Sequence, residues 1–253
     1  MKITFLGTGT SQGIPVIACS CNTCQSKDPK DKRLRTSLMI ETQGKTFVID
    51  SGPDFRQQML RENVRNLDAI LFTHEHKDHI AGMDDVRAFN YINKKPIDIY
   101  AEKRVQEAIK REYSYVFAEQ KYPGIPQINL YLIKNYEFEI DGVKFLPIRA
   151  RHLRLPIFGF RIGDFTYFTD VNYIPQKEKE KIKGTKHFVI NALRKKKHIS
   201  HYNIEEALKI IDEISPEKAY LIHISHLMGL YNEIQKVLPE NVMLAYDGLT
   251  LNI

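Results

Sequence analysis

The stretch Thr73-His74-Glu75-His76-Lys77-Asp78-His79 constrains this chain more than any other feature. It follows the apolar run Ala69-Ile70-Leu71-Phe72, which reads as a buried strand. His74 and His76 are two apart in an extended segment, so both rings can project to one side. Asp78 and His79 come at the turn into a helix around 80–82 and can point to a neighbouring position. Neutral imidazole and carboxylate suit Zn, Mn or Fe at neutral pH, and the two directions suggest two adjacent metals. The chain has nine histidines, and three of them fall within the six positions 74–79, so chance is a poor explanation. A polar, histidine-rich helix start is the plainer alternative.

The 253 residues allow one large domain that buries about three quarters of the surface its unfolded chain exposes. No Pro/Gly/Ser-rich linker, composition shift or internal repeat divides it. The start, Met1-Lys2-Ile3-Thr4-Phe5-Leu6-Gly7, turns polar at once, unlike a secretion signal, and no apolar run approaches a membrane span. A cytoplasmic location is therefore expected. The net charge of +6 suits an anionic ligand weakly, and the lysines of 177–183 read as a solvated face rather than a nucleic-acid stripe.

Alternation and turn signals predict strands at 2–6, 37–41, 46–50, 97–100, 129–133, 138–140, 143–148, 158–162, 165–168, 188–190, 220–223, 242–246 and 249–252. Helices are expected at 54–62, 86–90 and 102–111, after Asn203 and from Gly229. Asn203 with Glu206 three residues on has the form of a capping box. Gly7-Thr8-Gly9-Thr10-Ser11 is either a ligand-approaching loop or a plain turn. The aromatic stretch 113–126 reads as a wall over a site or as a packed surface loop. Asp50, His152 and Asp170 each close a predicted strand; alone, such residues are more often turn caps or hydrogen-bonded loop residues. His187 reads as a core or rim histidine.

Cys19-Ser20-Cys21-Asn22-Thr23-Cys24 holds every cysteine in the chain. Three cannot all pair as disulfides, and a cytoplasmic protein is not expected to keep one. Thiolates at this spacing can wrap one Zn²⁺, but a structural site takes four ligands, so the fourth must come from elsewhere. Free structural cysteines are the alternative.

The histidine motif resembles the signature of the metallo-β-lactamase superfamily, an αββα sandwich that carries metal at its edge. The extension Gly82-Met83-Asp84-Asp85-Val86-Arg87-Ala88-Phe89-Asn90 resembles the phosphodiesterase branch typified by phosphoribosyl cyclic phosphodiesterases of the PhnP type, and the resemblance covers nearly the whole chain. It implies one hydrolase domain over 1–253 with a zinc-binding cysteine arm at about 15–30. It implies His74, His76 and His152 on one divalent metal, Asp78, His79 and His223 on a second, and Asp170 bridging both, with Asp50 buttressing the ligands. The metals are Mn or Zn, with Fe also compatible. His226 completes a structural zinc with Cys19, Cys21 and Cys24. Two divalent ions, balanced by two carboxylates and one bridging hydroxide, leave positive charge that suits a monoanionic diester.

The expected reaction is thus hydroxide attack on the phosphorus of a small cyclic phosphodiester. The resemblance points to His201, rather than His198, as the acid that protonates the leaving oxygen. A transfer-RNA 3′-processing nuclease has the same ligands but carries a long arm between the positions of His152 and Asp170, where this chain is short. A thioesterase or lactonase is a third possibility, and a zinc-stabilised nucleic-acid-binding domain a fourth. A small phosphorylated substrate is expected as partner, nucleic acid and membrane are not, and relatives suggest a homodimer.

Overall fold

A computed structural model describes residues 1–120 and 122–253; Lys121, within the 113–126 stretch, lies outside the described residues. Its strands are β1 (Lys2–Gly7), β2 (Ser37–Thr42), β3 (Lys45–Ile49), β4 (Ala69–Leu71), β5 (Ile97–Ala101), β6 (Ile128–Leu132), β7 (Phe138–Ile140), β8 (Val143–His152), β9 (Leu155–Ile162), β10 (Phe165–Tyr167), β11 (His187–Asn191), β12 (Lys218–Ile222), β13 (Val242–Leu244) and β14 (Thr250–Asn252). They form two mixed sheets with flanking helices, the elements of the expected αββα class. The chain divides into two compact units. The first comprises Met1–Leu6, Ser37–Lys134 and Thr250–Ile253, and the second Gly7–Thr36 and Asn135–Leu249.

The first unit holds the sheet β14-β1-β2-β3-β4-β5-β6. Strands β2 and β3 pair as a hairpin across Gln43 and Gly44, both at positive φ (52° and 74°), the conformation a two-residue hairpin needs to match strand twist. From β3 to β6 each strand is parallel to the next. Their carboxyl ends therefore share one edge, where parallel sheets place ligands. Val48, Ile70 and Ile99 fill the sheet face beneath Phe55, Met59, Val105 and Ile109. The helix Lys103–Glu112 buries Val105, Ala108 and Ile109, the three- and four-residue spacing of one helical face.

The second unit holds the sheet β13-β12-β11-β10-β9-β8-β7. Strands β10 to β13 are mutually parallel, and β9 is antiparallel to both β8 and β10. So β8, β10, β11 and β12 all end at the same edge. Strand β8 runs four residues past its expected end at 148. Arg149 and Arg151 look like loop residues, but they alternate with buried Ile148, Ala150 and His152, and the Arg149 guanidinium lies 3.8 Å from the Phe158 ring centroid. The helix Ile204–Ile214 has the expected capping box, with Asn203 Oδ1 accepting from Glu206 N–H (2.9 Å) and Glu206 Oε2 from Asn203 N–H (3.0 Å).

Other boundaries moved. Gly229 sits at φ 108°, which ends the 3₁₀ turn His226–Met228, and the next helix is Tyr231–Gln235. The helix expected at 86–90 is a 3₁₀ turn, Met83–Val86, followed by Arg87–Asn93. Among the described residues no helix is long and apolar enough to cross a membrane.

Candidate active site

In the first unit, parallel pairing of β3 and β4 brings Asp50 and the histidine stretch to one edge. Asp50 is fully buried and sits at φ 64°, so the chain turns sharply as the strand ends. Its Oδ1 accepts from Thr73 N–H (2.9 Å), and its Oδ2 accepts from Thr73 Oγ1 (2.8 Å) and His79 Nδ1 (2.7 Å). One carboxylate thus ties both ends of the stretch. Burial pushes the Asp50 carboxyl above its usual range, opposed by the bonds from His79 and Thr73.

These bonds set the histidine tautomers. With its Nδ1 proton on Asp50, His79 turns the lone pair of Nε2 to Asp78 Oδ2, 3.3 Å away. The Thr73 hydroxyl proton goes to Asp50, so the hydroxyl oxygen accepts from His74 Nδ1 (2.9 Å). That leaves His74 Nε2 as acceptor, 3.1 Å from His76 Nδ1. The stretch therefore presents two pairs of donors, His74 with His76 and Asp78 with His79. Asp78 and His79 already belong to the short helix Lys77–Ile80, one turn earlier than the sequence suggested.

That helix is seated by backbone. Ser51 N–H donates to His79 O and Gly82 N–H to Ser51 O, each at 2.8 Å, and a Cβ on Gly82 would stand 2.0 Å from Gly52 O. Tyr113 Oη donates to Ile80 O (2.7 Å), Arg104 pairs with Glu75, and Lys77 pairs with Glu112.

The second unit gathers His152, Asp170, His201 and His223 at its own carboxyl edge. His152 closes β8, and its Nδ1 donates to Ser200 O (2.7 Å); a carbonyl only accepts, so the proton is on Nδ1 and the lone pair on Nε2. Asp170 Oδ1 is 3.0 Å from His223 Nε2, and Oδ2 is 3.2 Å from His201 Nε2. Thr169 Oγ1 donates to Asp170 Oδ1 (2.6 Å). Asp170 (φ 49°) and His223 (φ 55°) share the left-handed backbone of Asp50. Each costs about 1–3 kcal/mol, and such residues concentrate at functional sites.

His201 and His223 stack at 4.8 Å with planes 14° apart. Burial lowers the pKa of His201, against the bond to Asp170. His198 is also lowered, first by burial and then by Arg194, and its Nδ1 is 3.2 Å from Nδ1 of His201. His187 lies elsewhere, half-buried and stacked on Tyr220.

A third cluster lies wholly in the second unit. Sγ of Cys19, Cys21 and Cys24 are 3.3, 3.4 and 3.6 Å from His226 Nδ1. Tetrahedral zinc with ordinary Zn–S and Zn–N bonds separates S from N by about 3.6 Å, so the four donors fit that ion. The Cys24 backbone N–H brings the Cys21 thiol down to about 6, whereas burial raises Cys24 to about 11.

The active-site donors fit divalent metal as well. Partners orient the imidazoles of His74, His79 and His152, and separations of 3.0–3.3 Å within the pairs His74–His76, Asp78–His79 and Asp170–His223 suit two ligands on one ion at about 2.0–2.2 Å. Sequence reasoning missed Thr73, Thr169 and the Ser200 carbonyl. Thr73 and Thr169 stand directly before His74 and Asp170, a signal that was available; a backbone carbonyl leaves none.

Comparison with known proteins identifies the fold and family. The β-lactamase superfamily domain matches residues 45–224. A solved diphosphatase from the PhnP family is 36% identical with a TM-score of 0.93, covering 100% of this chain and 97% of that one. Human tRNase Z, short form, is 19% identical with a TM-score of 0.72, covering 100% and 99%, which shows the fold alone.

A curated relative named octanoyltransferase, from Porphyromonas gingivalis (strain ATCC BAA-308 / W83), is 41% identical over 252 residues, 98% of this chain and 51% of its own length. Ribonuclease Z from Prochlorococcus marinus (strain MIT 9215) is 25% identical over 170 residues, 65% of this chain and 50% of its own. This chain spans about half the length of these two curated relatives. It belongs to the metallo-β-lactamase superfamily, in its PhnP-like branch.

Proposed function

We propose that the chain hydrolyses a small cyclic phosphodiester, of the phosphoribosyl cyclic phosphate or nucleotide kind, at a centre for two divalent metals. The ligands are those the resemblance implies: His74, His76 and His152 for one metal, Asp78, His79 and His223 for the other, and Asp170 for both. Mn and Zn both suit such mixed His and carboxylate donors. Bound there, divalent metal supplies Lewis acidity toward phosphoryl oxygen and a nucleophile at neutral pH.

The observation that carries the reading is the set of fixed tautomers. Asp50, Thr73 and Ser200 each hold an imidazole proton away from the nitrogen that must donate. In the same reading His201 passes a proton from Nε2 to the leaving oxygen, and Asp170 Oδ2 orients the ring. The third cluster, Cys19, Cys21, Cys24 and His226, takes a structural zinc.

The similarity to a PhnP-family diphosphatase supports a second reading, hydrolysis of a phosphoanhydride. Transfer-RNA processing is less well supported, because between His152 and Asp170 the chain spends its residues on β9 and β10 rather than on an arm. Octanoyl transfer, the activity that names the double-length relative, we assign to the half of that protein which this chain does not match. All three cysteines here are gathered around His226, which leaves no thiol elsewhere to carry an acyl group.

The test is a screen of the metal-loaded protein against nucleoside and ribose cyclic phosphates, bis-p-nitrophenyl phosphate, a dinucleoside diphosphate, a thioester and a precursor transfer RNA. The reading predicts the highest kcat/KM on a cyclic phosphodiester. Preference for the diphosphate establishes the second reading, and preference for the thioester or the RNA overturns both.

A further inference from the structure

One side chain joins the two loops that carry His152 and His201. The turn between β8 and β9 follows His152, and its Leu153 adopts φ 57°. The segment 198–201 supplies both the Ser200 carbonyl that holds His152 and His201 itself. Asn172, two residues past Asp170, reaches both. Its Oδ1 accepts from Leu153 N–H (2.8 Å), and its Nδ2 donates to Ile199 O (3.0 Å). Its backbone is fastened as well: Asn172 N–H donates to Arg151 O (3.0 Å) and Arg151 N–H to Tyr173 O (2.9 Å). The side chain thus closes a ring of hydrogen bonds that runs from Asn172 through Leu153 and His152 to Ser200, and back through Ile199.

Without the Asn172 amide, the Ile199–Ser200 backbone loses its link to the β8–β9 turn. The Ser200 carbonyl would then be free to drift from His152 Nδ1. His201, the next residue, would lose part of what sets its approach to Asp170.

We propose that Asn172 is a positioning residue. It fixes the register between the 152–155 turn and the 198–201 segment, so that His152 keeps its Nδ1 proton on Ser200 while His201 stays against Asp170. The kinetic part of this proposal rests on His201 as proton donor; the structural part does not.

The variants Asn172→Ala and Asn172→Asp separate the two bonds, because Asp keeps the acceptor for Leu153 N–H and loses the donor to Ile199 O. In the zinc-loaded wild-type protein, the His152 ring N–H is expected to give a slowly exchanging proton resonance, to be assigned by its absence in His152→Gln. Both Asn172 variants are expected to speed its exchange at least tenfold with little change in melting temperature. Loss of a residue that orients a metal-ligating histidine costs about 10–100-fold, here expected in kcat on a cyclic diester with alkoxide leaving group. KM should stay near wild type, and a p-nitrophenyl diester should lose less. Unchanged exchange in Asn172→Ala overturns the proposal. So does an equal loss on both diesters that follows a drop in melting temperature, since that is loop packing alone. A His201→Ala control with no leaving-group selectivity would remove the proton-donor reading, and ring N–H exchange would then decide the role of Asn172 by itself.

Discussion

At the scale of single residues, the site is built by groups that never need to touch a substrate. Asp50 spends both carboxylate oxygens on Thr73 and His79, and through Thr73 it also sets His74. Asp50→Asn keeps the shape but turns one acceptor into a donor that faces N–H groups. Partners of this kind tune metal affinity by about 10–100-fold. Titration of the metal-free variant with Mn or Zn should show a loss in that range with the fold retained, and an unchanged affinity would remove the buttressing role.

His201 makes a different prediction. His201→Ala should keep the active-site metals and slow a cyclic diester with alkoxide leaving group by roughly 100- to 10,000-fold, while a p-nitrophenyl ester slows much less. His198→Ala should show little of either effect, because among the described residues its hydrogen bonds run to His201 and Ser200 rather than to Asp170. Reversal of the two variants would exchange their roles.

At the scale of elements, two short segments each carry candidate metal donors. The helix Lys77–Ile80 carries Asp78 and His79 and abuts the backbone at Gly52, where Gly82 leaves no room for a Cβ. Gly82→Ala must push that backbone apart, at about 1–3 kcal/mol or more. A fall in melting temperature with weaker metal binding is expected, and a fully stable, fully metallated variant would contradict the packing.

The cysteine arm is the second segment. Cys21→Ser should remove one zinc and lower stability by several kcal/mol, on the order of a structural zinc's contribution to folding, with less effect on catalysis of the surviving folded protein. An unchanged zinc count would mean free thiols. Sequence already gave the capping box at Asn203 and Glu206 and the hairpin at Gln43-Gly44, because local chemistry dictates both. It stopped β8 at 148, because the pairing with β9 that draws Arg149 and Arg151 into the strand is tertiary. It also placed Gly229 at a helix start, where a glycine at φ 108° instead ends a turn.

At the scale of the whole molecule, each sheet delivers its chemistry to the carboxyl ends of parallel or co-directed strands, so residues as far apart in sequence as His152 and His223 reach one edge. The motif at 74–79 was legible because its four candidate donors fall within six residues. Asp170 and His223 were legible only through family resemblance, since a lone residue after a strand carries no signature of its own. The account depends most on Asp170, whose two oxygens each face a different histidine. Metal analysis of the purified protein, wild type against Asp170→Ala, tests it most directly. A dinuclear site plus a structural zinc predicts about three metals per chain in the wild type, falling to about one with hydrolysis abolished in the variant. Wild-type metal content and normal turnover in Asp170→Ala would contradict the dinuclear assignment.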